Sequence, residues 1–240
     1  RAYNRAGFAW ADSSTYKGAG AYNKDGTLKD NAVVIYVTSE TAKTVTAGIQ
    51  VDKTIVQRTG FQDIMQALEK GTETRPIVVR IIGMINAADM DRFDSGDEGL
   101  QIKGKAKYAN LNLTIEGIGN DAGINGFGML LRNAGNVELR NFGVLNCMDD
   151  CISMDTGNCN LWVHNIDLFY GNAGGDSDQA KGDGSLDIKV GSTWVTFSEN
   201  HLWDSGKTSL CGMTSDCYSH YYVTYCDNWF DHSDSRHPRM

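Results

Sequence analysis

Apolar residues in this chain follow two unlike patterns. Phe61, Ile64, Met65 and Leu68 recur at helical spacing between Gly60 and Gly71, which predicts one amphipathic helix over residues 61–69. Elsewhere the apolar runs are short and β-branched. Residues 32–38 read as a strand, and residues 76–85 read as a buried one. Residues 1–30 are polar and Gly-rich, an irregular entry segment, and the charged stretch 89–109 reads as a loop insertion. From about residue 111 short strand-like segments follow one another with no helix between them: Leu113-Thr-Ile-Glu, Asn136-Val-Glu-Leu-Arg-Asn141, Asn160-Leu-Trp-Val-His-Asn165, Thr193-Trp-Val-Thr-Phe-Ser198 and Tyr222-Val-Thr-Tyr-Cys226.

The first two steps between these segments are close to 24 residues and the later ones about 30. A repeat of this length, built only of strands and turns, marks a β-solenoid, in which no coil buries its inner face alone. Asn136, Asn141, Asn160, Asn165, Asn200 and Asn228 recur around the repeats. They suit corners, where Asn tolerates a left-handed backbone and bonds to the next coil. A β-sandwich of short strands is the alternative, and the scarcity of Asn-Gly hairpin signals weighs against it. A solenoid end exposes strand edges and needs a cap; the predicted helix precedes the first coil and can supply one. The reading is an all-β chain forming one domain over 1–240, with coils expected beyond Met240.

Composition narrows the function. A formal net charge of −8 argues against a nucleic-acid partner, which needs a basic face. No run of 18 apolar residues implies a membrane span. The chain opens on Arg1-Ala-Tyr-Asn without Met, so it reads as a mature protein. Six cysteines (Cys147, Cys151, Cys159, Cys211, Cys217 and Cys226) contain no Cys-x-x-Cys pair, which disfavours structural zinc. Their even count fits disulfides in a secreted protein, with Cys211–Cys217 the most plausible pair; buried reduced thiols are the alternative.

The candidate chemistry lies mostly in the last sixty residues. Asp183 and Asp187 are four apart in Asp-Gly-Ser-Leu-Asp. Gly182 and Gly184 argue against a helix there and favour a bend into a strand at 186–188. Asp150 lies one coil earlier. Equivalent residues of stacked coils are about 4.8 Å apart, so three such carboxylates repel unless a cation neutralises them, and hard oxygen donors favour calcium over zinc. Taken singly, each acid reads as an ordinary surface group. Lys207, Arg236 and Arg239 follow on later coils and concentrate positive charge where an anionic substrate could bind to an otherwise acidic chain. The five histidines form no Ser/His/Asp arrangement, and His232 and His237 read as loop residues.

In these residues the chain resembles the pectate lyases of polysaccharide lyase family 1. The matching segments are Thr114-Ile-Glu-Gly-Ile-Gly119, Asn125-Gly-Phe-Gly128, Asn136-Val-Glu-Leu-Arg-Asn141, Asp150-Cys-Ile, Asp183-Gly-Ser-Leu-Asp-Ile188, Gly191-Ser-Thr-Trp-Val-Thr-Phe-Ser198, Asn200, Lys207-Thr-Ser-Leu, Val223-Thr-Tyr and Arg236-His-Pro-Arg239. They run in family order over about half the chain.

The resemblance implies a right-handed parallel β-helix that cleaves de-esterified polygalacturonate by β-elimination, secreted and monomeric. It implies Ca²⁺ held by Asp150, Asp183 and Asp187, Lys207 on a substrate carboxylate, and Arg236 as the base. Neighbouring cations disfavour a guanidinium's charged form, so alkaline conditions should favour activity. The sequence departs from the pattern in two places. The family's Trp-Ile-Asp-His reads Trp162-Val-His-Asn165, and a further Arg expected two residues after Arg239 falls beyond Met240. Asp149-Asp-Cys-Ile152 is also similar to polygalacturonases, hydrolases on the same kind of helix, although their Asn-Thr-Asp and Gly-His-Gly motifs are missing. Pectin lyases lack the acids this chain keeps. Two alternatives stand beside the lyase: a polygalacturonase-like hydrolase, and a non-catalytic polysaccharide-binding β-helix.

Overall fold

The computed structural model describes residues 3–170, 182–213 and 220–240. Short strands joined by tight corners build one coil after another. Gly128–Arg132, Ala134–Arg140 and Gly143–Leu145 form one turn of the solenoid, and Ile152–Thr156, Cys159–His164 and Asp167–Phe169 form the next. Leu186–Ile188, Thr193–Ser198 and His201–Trp203 follow, then Val223–Cys226 and Trp229–Asp231. Pairing between coils is parallel throughout: Leu113, Val137, Leu161, Val195 and Val223 lie in one row. These steps of 24, 24, 34 and 28 residues match the spacing read from the sequence.

The strands make three sheets, two of which, built from the coils, wrap one core; the third is a two-stranded hairpin. A four-stranded sheet contains Gly99–Lys103, Gly128–Arg132, Ile152–Thr156 and Leu186–Ile188. An eleven-stranded sheet covers the other faces. It turns a corner because the 17-residue strand Ala109–Asn125 pairs by its first half with Ala134–Arg140 and by its last residues with Gly143–Leu145. Alternate residues point inward. Ile115, Leu139, Val163 and Phe197 stack in register, each at most 1% exposed. Stacking like on like is how coils that cannot fold alone bury their inner faces together. This is the parallel β-helix expected from the repeat.

The corners divide the asparagines into two kinds. Asn136, Asn141, Asn160 and Asn165 take the left-handed conformation, with φ of 51–59°, which Asn tolerates better than other non-Gly residues. Asn200 and Asn228 do not belong with them. Glu199 and Asp227 hold the left-handed corner on those coils. Asn200 and Asn228, one residue on, form a ladder instead: Asn200 Nδ2 donates to Asn228 Oδ1 at 2.9 Å and to the Val163 carbonyl at 2.9 Å.

The predicted helix is present as Phe61–Leu68, with Phe61, Ile64, Met65 and Leu68 all buried. It packs on the first strand of the smaller sheet: Gln62 Nε2 donates to the Gln101 carbonyl at 3.0 Å, and Gln101 N–H donates to Gln62 Oε1 at 2.9 Å. Its N-cap residue is glycine, which offers no side-chain acceptor. The distant Asp91 serves in its place, accepting from the N–H groups of Gln62 (2.9 Å) and Asp63 (3.1 Å). We predict that Asp91→Ala lowers unfolding free energy by about 0.5–2 kcal/mol, the range for losing an N-cap acceptor. Urea denaturation checks this, and an unchanged midpoint would deny Asp91 that role.

Three features were not legible in the sequence pattern. The stretch 89–109 is more than a loop, since it contributes the strand Gly99–Lys103. Thr46–Val51 and Thr54–Thr59 form an antiparallel hairpin across Asp52-Lys53, without an Asn-Gly signal. The N-terminal segment straps the outer face of the larger sheet, running across successive coils. Ala21 N–H donates to Thr114 Oγ1, Tyr16 N–H to Asn160 Oδ1 and Phe8 N–H to Thr224 Oγ1. Beneath it Trp162 and His164 stack at 3.6 Å, both 1% exposed, and His164 Nε2 lies 3.1 Å from Glu138 Oε1. The departure at Trp162-Val-His-Asn165 is thus a packed, strap-covered site. No described helix is long and apolar enough to cross a membrane.

Candidate metal and substrate site

The turn into Ile152–Thr156 carries Asp149 and Asp150, and the bend into Leu186–Ile188 carries Asp183 and Asp187. Cys151 N–H donates to the Gly184 carbonyl at 2.8 Å and Ile152 N–H to Ser185 at 3.0 Å. This pairing sets the two acidic segments side by side. One carboxylate oxygen from each of Asp149, Asp150 and Asp183 lies within 4.8 Å of the others. The structure therefore brings together Asp150 and Asp183, as expected, and adds Asp149, which the sequence reading did not place in the ligand set.

Asp187 sits across Gly184. A methyl group at residue 184 would fall 2.4 Å from Asp187 Oδ2 and 2.7 Å from Asp150 Oδ1. Only glycine lets these carboxylates converge, and its N–H donates to Asp150 Oδ1 at 2.9 Å. Asp187 is 1% exposed and its Oδ1 accepts the Leu210 N–H at 2.8 Å, so it is a buried group, unlike the outer-surface acid expected from sequence.

The electrostatics of the site are those of excess negative charge. Burial, and then the charges of Asp150 and Asp149, raises the Asp183 carboxyl above the usual range. Burial followed by Asp150 pushes Asp187 well above it, and the same two causes raise Asp149. One protein cation answers part of this charge: Lys189 Nζ lies 2.5 Å from Asp150 Oδ2. Burial alone would lower the Lys189 ammonium, but Asp150 leaves it raised. The donors are all carboxylate oxygens in close proximity. That set fits a hard divalent cation such as Ca²⁺ and does not fit one needing nitrogen or sulfur.

Positive charge converges from the next coils. Gly184, Lys207 and Ser235 bridge in register, so Lys207 stands one coil above the acids and Arg236 two above. Lys207 Nζ is 3.4 Å, and Arg236 Nη1 3.9 Å, from the same Asp183 Oδ1. Burial and then Arg236 lower the Lys207 ammonium. Arg236 takes a left-handed backbone (φ 63°), and the His237–Pro238 peptide after it is cis. Arg239 is exposed, its N–H donating to the Ser209 carbonyl at 2.9 Å. His201 Nε2 lies 3.4 Å, and His232 Nδ1 2.5 Å, from Asp231 carboxylate oxygens outside this cluster.

Cys147, Cys151, Cys159, Cys211 and Cys226 carry free thiols. The expected Cys211–Cys217 pair cannot be placed, because Cys217 lies outside the described residues.

A parallel β-helix with acids on one coil and cations on the next defines a class of protein whose side can hold a cation and an anionic ligand together. The family model described as pectate lyase matches residues 1–240. The chain belongs to the pectate lyase family. It is 31% identical over 148 residues to a probable pectate lyase A of Aspergillus fumigatus, covering 58% of this chain and 45% of that protein. In structure it is similar to a pectate lyase from Bacillus sp. N165 in complex with trigalacturonate, with a TM-score of 0.68, 22% identity, and coverage of 98% of this chain and 64% of that one. It is also similar to pectate lyase C from Erwinia chrysanthemi at pH 9.5 with 30 mM Ca²⁺, at TM-score 0.61 and 20% identity, covering 92% of this chain and 60% of that one. The chain thus spans about half the length of the first relative and under two thirds of these structures.

Proposed function

We propose that this chain carries the catalytic cleft of a secreted, monomeric, calcium-dependent pectate lyase that cleaves de-esterified polygalacturonate by β-elimination. The observation that carries the reading is the convergence of Lys207 and Arg236 on Asp183, beside the carboxylates of Asp149 and Asp150. The family of the chain supports it, as do a neighbour solved with trigalacturonate and another with Ca²⁺.

In this reading Asp150, Asp183 and Asp187, joined by Asp149, hold Ca²⁺. Bound there, the ion would offset the acids and draw electron density from a uronate carboxylate. Lys207 binds that carboxylate, and Arg239 extends the cationic surface toward the next sugar. The proton at C5, next to the carboxylate, becomes acidic as charge is drawn away. Arg236 removes it, the C5–H electrons form the C4–C5 double bond, and the C4–O4 bond breaks, with O4 leaving to take a proton from solvent. Secretion accords with a polymeric substrate outside the cell.

The test is incubation with polygalacturonate and Ca²⁺. An ultraviolet-absorbing unsaturated product that disappears on chelation is expected. Reducing ends without that absorbance would replace the lyase by a hydrolase, and binding without any turnover would leave a polysaccharide-binding β-helix.

A further inference from the structure

Lys189 lies within the acidic cluster, which Lys207 and Arg236 approach from later coils. It directly follows the strand Leu186–Ile188, and its N–H donates to the Met154 carbonyl at 2.8 Å. That bond ties its backbone to the coil that carries Asp150. Its Nζ reaches Asp150 Oδ2 at 2.5 Å, and the side chain is 16% exposed. The other oxygen of the same carboxylate is held separately, Oδ1 accepting the Gly184 N–H at 2.9 Å. Both oxygens of Asp150 therefore have a partner from the neighbouring coil, and one partner carries a full positive charge.

We infer, resting on the calcium reading above, that Lys189 is a resident counter-cation that shares Asp150 with the ion and holds the calcium affinity of the site down. An ion ligated by Asp150 at about 2.4 Å from an oxygen falls within roughly 7 Å of an ammonium on the same carboxylate. Two positive charges at that separation repel, and in a partly buried site solvent and salt screen the repulsion only weakly. Lys189 also fills a lone-pair direction of Oδ2 that the ion would otherwise use. Both effects act against the metal. One acts for it: without the ion, the ammonium offsets the repulsion among Asp149, Asp150 and Asp183, whose oxygens lie within 4.8 Å of one another. Gly184 decides the balance. Because its N–H already holds Asp150 Oδ1, that carboxylate keeps its place without Lys189, whereas the charge of Lys189 is felt by the ion in full.

A divalent ion held weakly by the protein alone depends on further oxygens. A uronate carboxylate supplies them, together with a negative charge that offsets Lys189. The ion and the anionic sugar then bind cooperatively, each raising the affinity of the other.

The test is calorimetry with CaCl₂ on the parent, Lys189→Gln, Lys189→Met and Lys189→Arg, with thermal unfolding of each in chelator and in CaCl₂. Lys189→Gln removes the charge and keeps a donor; Lys189→Met removes both. Each is expected to tighten Ca²⁺ binding by at least roughly tenfold. Each is also expected to melt lower than the parent in chelator and to gain more on adding Ca²⁺. Lys189→Arg keeps the charge, and parent-like affinity is expected. A purely structural ion pair gives the opposite result, because its loss loosens the carboxylates and weakens the ion. Parent-like or weaker affinity in the Gln and Met variants would overturn the inference, as would equal tightening in Lys189→Arg, and binding by the parent would leave the calcium reading standing. No Ca²⁺ binding in any form would overturn the calcium reading and the role of Lys189 with it. Gln and Met variants that fold only in CaCl₂ would support the counter-cation, and variants that fold in neither condition would make Lys189 a structural support instead.

Discussion

Arg236→Lys is expected to lose most of kcat on polygalacturonate while KM changes little. A proton acceptor in a fixed position is worth about 10²–10⁴-fold, and lysine keeps the charge without placing a nitrogen at the same point. Arg236 reaches the site from a constrained left-handed backbone two coils above the acids. A shorter or differently shaped side chain therefore cannot recover the position by moving the chain. Lys207, nearer Asp183, still binds the carboxylate, which is why binding should hold. Steady-state kinetics separates the roles: unchanged kcat with raised KM would make Arg236 a substrate clamp, and unchanged values of both would remove it from the reaction.

Gly184→Ala is expected to weaken Ca²⁺ binding by at least roughly tenfold, about 1.4 kcal/mol, with the fold intact. Residue 184 has no positive φ, so alanine suits its backbone. Its methyl group instead collides with the Asp187 and Asp150 carboxylate oxygens. Turning those side chains away is the cheapest relief, and it disperses the ligands. Calorimetry of the variant, alongside thermal unfolding, reads the two consequences apart. Parent-like affinity would show that the ion does not need these oxygens where the structure has them.

The solenoid was legible because its signal is repetitive. Each coil contributes an apolar strand and a corner residue, and the step between Leu113, Val137 and Leu161 is constant. The helix was legible from four apolar positions. The strand Gly99–Lys103 was hidden because two inward residues, Leu100 and Ile102, stand among charged neighbours. Asp150, Asp183, Lys207 and Arg236 could be named because they follow a family order. Asp149, Lys189 and Gly184 could not. Each acts through a neighbour on another coil: Lys189 through Asp150, 39 residues away, and Gly184 by having no side chain at all. Linear spacing does not report such contacts. Asp187 was named by the same family order, but its burial was not legible, because the Leu210 N–H that meets it lies on the coil above.

The N-terminal strap changes how this stack can come apart. A solenoid is close to a one-dimensional array, in which each repeat is coupled only to its neighbours and can fray from a free end. Here Phe8 is bound to Thr224, 216 residues away, Ala9 to Thr196 and Asn160 to Ala9. The first residues of the chain thus belong energetically to its last described coils. Fraying of those coils must release the strap and expose Trp10 and Trp162, which makes an otherwise gradual unzipping more nearly all-or-none. It also orders assembly: the strap has no complete surface to dock on until the coils bearing Thr196 and Thr224 exist. It therefore forms late, closing a loop of 216 residues between Phe8 and Thr224.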